Sequence, residues 1–424
     1  MEEWQTLNPA NSKSLVDVHL VSAESKALAE KLAESKQVII TDLYNGLSIE
    51  SNSFIGQIAF DQFTIRIRPK LSGLPLFQLL AFTYGFTTFD RYDNTYCSIE
   101  KSDFIEFLIL QYFIECRYIY TKGLHKQYCL KEEQLAQPKG RILFHRLAQE
   151  PIMTQYIPCS YHPRIADNAL NRVLLSGLAF CTKLTQDAKM SGKLKDLITI
   201  LGDEIELSNI TKQTITSVKA KLNRLTKSYL PALNIIELII NSRGLTLNDT
   251  STNVELNGYL FDMNMFFQNL ILMYLRENLK TYRITDQFSL KGIFTYKKND
   301  KKSKRSPNPR PDFVIIDENN TSYVLDAKYR DLWANSLPRD MLYQLAIYAL
   351  GGPGRGTSVI LYPVIGNHAE EEQIYIRDPL LQNDKGRIIL RPVNLLRLAE
   401  LVQCTKNDSK TERFKYAKYI ATGK

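Results

Sequence analysis

Six cysteines, at positions 97, 116, 129, 159, 181 and 404, are too scattered to form a C-x-x-C pair, and none has a histidine nearby at zinc-ligand spacing. A zinc finger or ribbon is thereby excluded, and buried thiols in a reducing cytosol are the expectation for Cys97, Cys116, Cys129, Cys159, Cys181 and Cys404. Long apolar runs are missing too. No stretch approaches the roughly 18 residues that a membrane span requires. The opening MEEWQTLNPANSKS is polar and acidic rather than basic and then apolar. A soluble, unexported, cytoplasmic chain with no membrane partner is expected. There is no G-x-x-x-x-G-K-[ST] loop, so nucleotide energy, if used, must come from a partner. No internal repeat is visible.

What is present is a basic surplus, +9 at neutral pH with a pI near 9.0. Basic side chains displace the counterions condensed on phosphates, so this balance favours polyanionic partners, nucleic acid first. The 23 Tyr and 19 Phe sit mostly within apolar runs, where core packing is their role. At 424 residues the chain exceeds one ordinary core, and two or three domains are expected.

The periodicities place the elements. AESKALAEKLAESK (23–36) carries Leu28 and Leu32 at helical spacing, and in FTIRIR (63–68) Phe63, Ile65 and Ile67 alternate with polar residues as in a half-buried strand. Helices are predicted over 103–121, 166–184 and 261–280, and the stretch 185–245 reads as mainly helical. Beyond it the pattern changes to FVIID (313–317) and YVLDAKYR (323–330) around the turn-rich ENNTS, a predicted antiparallel hairpin. A helix over 341–350 and a strand over 358–365 follow. The expected architecture is α/β: a C-terminal domain (246–424) with a mixed sheet flanked by helices, a mixed α and β N-terminal domain (1–165) and a helical middle (166–245).

The chemistry concentrates in that hairpin. Asp326 and Lys328 lie two apart on one strand, so both leave the same face while Ala327 points away. The hairpin returns Asp312 beside Asp326. Two carboxylates at one point repel, and a hard cation such as Mg²⁺, with oxygen ligands from Asp312, Asp326 and the Ala327 carbonyl, resolves the repulsion. Such a cation lowers the pKa of a bound water, and Lys328 would orient that water or stabilise charge on a phosphodiester under attack. One geometric condition follows. A two- or four-residue turn centred on Asn319 and Asn320 would set Asp312 opposite Ala327, on the wrong face, so an odd-length loop or a bulge is required. The bland reading of the same residues is a strand-edge aspartate and a surface ion pair. Just before Asp312 runs KKNDKKSKRSPNPR (297–310), five lysines and two arginines against one aspartate. Lys301, Lys302, Lys304, Arg305 and Arg310 are the candidate DNA contacts.

RPDFVIIDENNTSYVLDAK resembles the PD-(D/E)XK nuclease superfamily, and Gln344 with Tyr348 on the next helix is similar to the Q-x-x-x-Y helix of some of its branches. The resemblance implies that Gln344 helps to position the scissile strand. Where that superfamily often has an acidic residue, this chain has Gln268, which leaves Asp262 and Glu277 as substitutes. IGQIAFDQFTIRIRPKLSGLPLFQLL, with its Gly-containing strand and Ile-x-Pro-Lys, resembles the opening of McrC proteins. GLHKQYCLKEEQLAQPKGRI and IPCSYHPRIADNALNRVLL continue the resemblance in order. It implies the DNA endonuclease subunit of a McrBC-like restriction system, with a McrB-like AAA+ GTPase ring as partner, docking on that ring through the N-terminal half and cutting DNA with the C-terminal half. The rival readings are a stand-alone repair or recombination nuclease and a non-catalytic activator of the ring.

Overall fold

A computed structural model describes residues 1–86, 104–149, 155–242, 258–294, 307–332, 335–366, 369–403 and 407–424. Its contacts divide the chain into two compact units, residues 1–101 together with 242–424, and residues 102–241. The units are drawn differently from the three consecutive segments expected, because strand pairing joins residues far apart in sequence. Phe54–Ala59 pairs antiparallel with Gly258–Asp262, Gln57 opposite Tyr259. Glycine is required at this join: a Cβ on Gly56, whose φ is +145°, would stand 2.1 Å from the Tyr259 carbonyl oxygen. Around it Ile58, Ile65, Ile67 and Leu260 share a core with the helix Ala23–Glu34.

A truncation near residue 245 therefore removes a strand that the first hundred residues depend on. The fragment is expected to lose cooperative thermal unfolding and to bind a hydrophobic dye, since Ile58 and Ile67 lose their cover. A sharp melting transition in the fragment would show that the join is dispensable.

The first unit is dominated by a six-stranded mixed sheet in the order Arg283–Asp286, Phe313–Ile316, Ser322–Ala327, Thr357–Val364, Asp384–Asn394, Glu372–Arg377. The first three strands and the last pair are antiparallel, and the middle pairings are parallel. Thr357–Val364 is buried along nearly its whole length, which its continuous apolar run TSVILYPV anticipates for a central parallel strand. The helix Arg339–Gly351 lays Leu345 and Tyr348 on Val324, Ile360, Tyr362 and Ile388 of the sheet. The helix Met263–Asn278 packs against the central strand Ser322–Ala327 outside that cluster. The α/β class and the mixed sheet flanked by helices are as expected.

In the second unit the helices Phe104–Lys122, Ala169–Leu184, Ala188–Gly202, Lys212–Ala220 and Leu230–Ser242 match the apolar periodicity. Asn168 caps one of them, accepting from the Leu170 and Asn171 amides. The unit also holds a small antiparallel sheet (Lys131–Leu135, Ile157–Tyr161, Arg141–Ile142) and a two-stranded one (Gln127–Tyr128, Arg164–Ile165). Cys116, Cys159 and Cys181 are buried thiols, but Cys129 is exposed, contrary to expectation, because it follows the short, exposed strand Gln127–Tyr128. Cys97 and Cys404 lie outside the described residues. Among the described residues no helix is long and apolar enough to cross a membrane.

Candidate active site

The hairpin register pairs Phe313 with Leu325 and Ile316 with Ser322, leaving the five residues 317–321 in the connection. This is the odd length that the geometry demanded, and one step further along the register sets Asp312 opposite Asp326. The turn is shaped by Asp317, whose carboxylate accepts from the Asn319 amide at 2.9 Å and the Thr321 amide at 2.8 Å. Asn320 takes a φ of 60°, a left-handed conformation that asparagine tolerates.

Asp312 and Asp326 are 5% and 2% exposed, and the Lys328 ammonium lies between them, 3.0 Å from Asp326 Oδ2 and 3.5 Å from Asp312 Oδ2. Three further donors hold Asp312. The Ala327 amide donates to Oδ2 at 2.9 Å, Gln268 Nε2 to the same oxygen at 3.0 Å, and Gln287 Nε2 to Oδ1 at 3.3 Å. Asp326 is treated differently: its buried Oδ1 has no hydrogen-bond partner. Burial, and then the Asp312 charge, push the Asp326 carboxyl up to about 6, against the pull of Lys328. Burial alone would lower Lys328, but the two carboxylates outweigh it and hold the ammonium above its ordinary value.

The other candidates fall into place unevenly. Gln344 Nε2 donates to the Tyr348 hydroxyl at 2.6 Å, which donates to the Arg310 carbonyl at 2.9 Å. Gln344 thus reaches the chain two residues before Asp312 rather than a carboxylate. Arg310 is exposed, while Lys301, Lys302, Lys304 and Arg305 lie outside the described residues. Neither substitute for the acidic residue serves the site. Asp262 caps its helix, accepting from the Asn264 and Met265 amides, and the Glu277 carboxylate pairs with Arg413 at 3.5 Å. Gln268 itself fills the place, its amide bridging Asp312 and the Ala327 carbonyl, the latter at 3.4 Å. Gln287 carries no sequence signal at all. It is brought in by a φ of 50° and by its own amide donating to the Asp312 carbonyl at 3.0 Å.

The donor set suits a hard cation. Two carboxylates and a carbonyl are all oxygen, one carboxylate oxygen is buried without a partner, and Mg²⁺ needs only one or two protein carboxylates with water completing the shell. Among the described residues no three His, Cys, Asp or Glu side chains gather as metal ligands.

The family model described as McrBC 5-methylcytosine restriction system component matches residues 49–363. The chain belongs to this family. None of the curated proteins matches this McrBC-family chain. Its fold is similar to that of a chain in a structure described as the refined half-complex from a tetradecameric assembly of Thermococcus gammatolerans McrB AAA+ hexamers with bound McrC. That alignment covers 99% of each chain at 17% identity with a TM-score of 0.65. A structure of the Thermococcus gammatolerans McrBC complex aligns over 67% of this chain and 88% of the other, at 18% identity and a TM-score of 0.47.

Proposed function

We propose that this McrBC-family chain is the McrC-type DNA endonuclease subunit of its system, hydrolysing phosphodiester bonds with Mg²⁺ at a PD-(D/E)XK-like site. The observation that carries this reading is the buried pair Asp312 and Asp326, bridged by Lys328 and left with one unpartnered carboxylate oxygen. Asp312, Asp326 and the Ala327 carbonyl would hold the cation, which supplies a lowered water pKa and neutralises phosphate charge when bound. Lys328 keeps its proton and presents a fixed positive charge, so it can donate to a phosphate oxygen or to the attacking water. Gln268 and Gln287 hold the Asp312 carboxylate in orientation, and the Gln344, Tyr348 and Arg310 chain of hydrogen bonds ties down the backbone that leads into it. Arg310 and the basic residues before it would track the DNA backbone.

The partner in this reading is a McrB-like AAA+ GTPase ring, whose hydrolysis this chain would stimulate. Support comes from the family match and from the fold shared with a chain of the Thermococcus McrB and McrC assembly. The test combines the purified chain, its ring partner, GTP and DNA, with and without Mg²⁺. Cleavage only with Mg²⁺ and the partner is expected. Ring stimulation without cleavage under any metal would instead make the chain a non-catalytic activator, and cleavage without the partner would make it a stand-alone nuclease.

A further inference from the structure

The Ile-x-Pro-Lys feature lies in the N-terminal half, which the McrC resemblance implies docks on the ring; it ends at Lys70, and Lys70 Nζ forms an ion pair with Asp331, three residues beyond Lys328. We propose that Glu3 and Lys70 are positioning residues of the candidate nuclease site, clamping residues 329–331 so that Lys328 stays on the two carboxylates. The proposal deepens the nuclease reading and rests on it.

Three consecutive side chains after Lys328 are held by residues from the opening of the chain. The Tyr329 hydroxyl donates to Glu3 Oε1 at 2.7 Å, the Arg330 guanidinium lies 5.1 Å from the centre of the Trp4 ring, and Asp331 meets Lys70. Glu3 is oriented in turn by the Lys70 amide, which donates to the same Oε1 at 2.7 Å, and by its own amide donating to the Arg68 carbonyl at 3.0 Å. One carboxylate oxygen therefore joins the Pro-Lys corner to the segment behind Lys328. Apart from these side-chain contacts, the segment is held by Asn264, whose side-chain oxygen accepts from the Tyr329 amide at 2.8 Å, and by the Tyr329 ring against Phe267. It leaves the sheet after the Lys328 amide donates to Leu361, and it then turns on itself, the Arg330 amide donating to the Lys328 carbonyl at 2.9 Å.

The clamp is expensive, which argues against a role in packing alone. Glu3 is fully buried, and Glu3 Oε2, Trp4 Nε1 and Asp331 Oδ1 are buried side-chain atoms without hydrogen-bond partners. All three residues line one small pocket. Trp4 also holds a φ of 57°, which a bulky aromatic residue rarely adopts. Burial pushes the Glu3 carboxyl up to about 7, a cost of ionising it here that a glutamine or an apolar residue at position 3 would avoid. Unsatisfied groups gathered beside a site, with backbone strain, are where geometry is held for function rather than for stability.

The test uses the full chain with Glu3→Gln, Lys70→Met, Lys70→Arg and Tyr329→Phe. Tyr329→Phe keeps the ring that packs edge-on against Phe267 and deletes only the hydroxyl, so it remains informative if another variant fails to fold. The first readout is the rate at which an amine-specific reagent modifies Lys328, followed by mass spectrometry without metal, DNA or ring. This rate is expected to rise several-fold in Lys70→Met and Tyr329→Phe and to return towards wild type in Lys70→Arg. The second readout is DNA cleavage with the ring, expected to fall by about 10²-fold, as a displacement near 1 Å produces. The third is stimulation of the ring's GTP hydrolysis, expected to be unchanged. Folded variants with wild-type Lys328 labelling overturn the clamp, whatever their cleavage. Loss of ring stimulation with unchanged labelling would return Lys70 to a docking role. If wild-type protein cuts no DNA, the labelling result still decides the clamp while the nuclease reading alone falls.

Discussion

Asp326→Asn is expected to lower Mg²⁺-dependent DNA cleavage by roughly 10²–10³-fold or more, and at the same time to stabilise the protein without metal. The first effect follows from removing a charged oxygen ligand of the same shape. The second follows from the direction of its pKa: burial and the neighbouring Asp312 raise the Asp326 carboxyl from an ordinary 3.8 to about 6. Between those values the folded state binds more protons than the unfolded state. Its stabilising contribution is therefore complete below 3.8 and is lost as pH rises through about 6. Asparagine carries no such dependence. The stability of the variant relative to wild type, read from its melting temperature, should rise across that window and level off above it, by up to about 3 kcal/mol. Melting curves of both proteins from acid to neutral pH, in chelator, supply the check. A flat difference would mean that Lys328 fully compensates the ionised pair, and undiminished cleavage would remove Asp326 from the site.

Replacing Lys301, Lys302, Lys304 and Arg305 together with Ser should weaken DNA binding strongly, because each phosphate left without its basic side chain takes about 0.9 off the slope of log affinity against log salt. Four such phosphates account for roughly 10²-fold of salt sensitivity between about 50 and 200 mM. The motivation is position: the run leads through the exposed Arg310 into Pro311 and Asp312. Titrations of labelled DNA at several salt concentrations measure the slope directly. An unchanged slope would place the DNA elsewhere.

The hairpin was legible because its information is local. Alternation in FVII and YVLDA fixes the faces, and Asp317 and Asn320 supply the chemistry of a five-residue connection. The pairing of Asp312 with Asp326 and Lys328 follows from those facts alone. Gln268 was noticed only as a departure, since nothing in MFFQNL says that its amide meets Asp312. Gln287 and the clamp from Glu3 and Lys70 were not legible, for they depend on contacts across 25 to 326 residues. The same holds for the division of the chain, which turns on Gly56 approaching Tyr259. Glu372–Arg377 gives a weak signal because this edge strand buries none of its residues, and Asp384–Asn394 is polar at one end and buried at the other.

The interruption of the first unit by residues 102–241 also bears on how the protein is made. On a ribosome, Phe54–Ala59 emerges roughly 200 residues before the strand that covers it, a wait of about 10–40 s at ordinary rates of elongation. During that interval an unpaired edge is open to wrong partners. Glu3 and Lys70 likewise wait for Tyr329 and Asp331, which are translated after Asp312, Asp326 and Lys328. The acidic pair therefore gains these contacts only late in translation, and a chain terminated before Tyr329 lacks them.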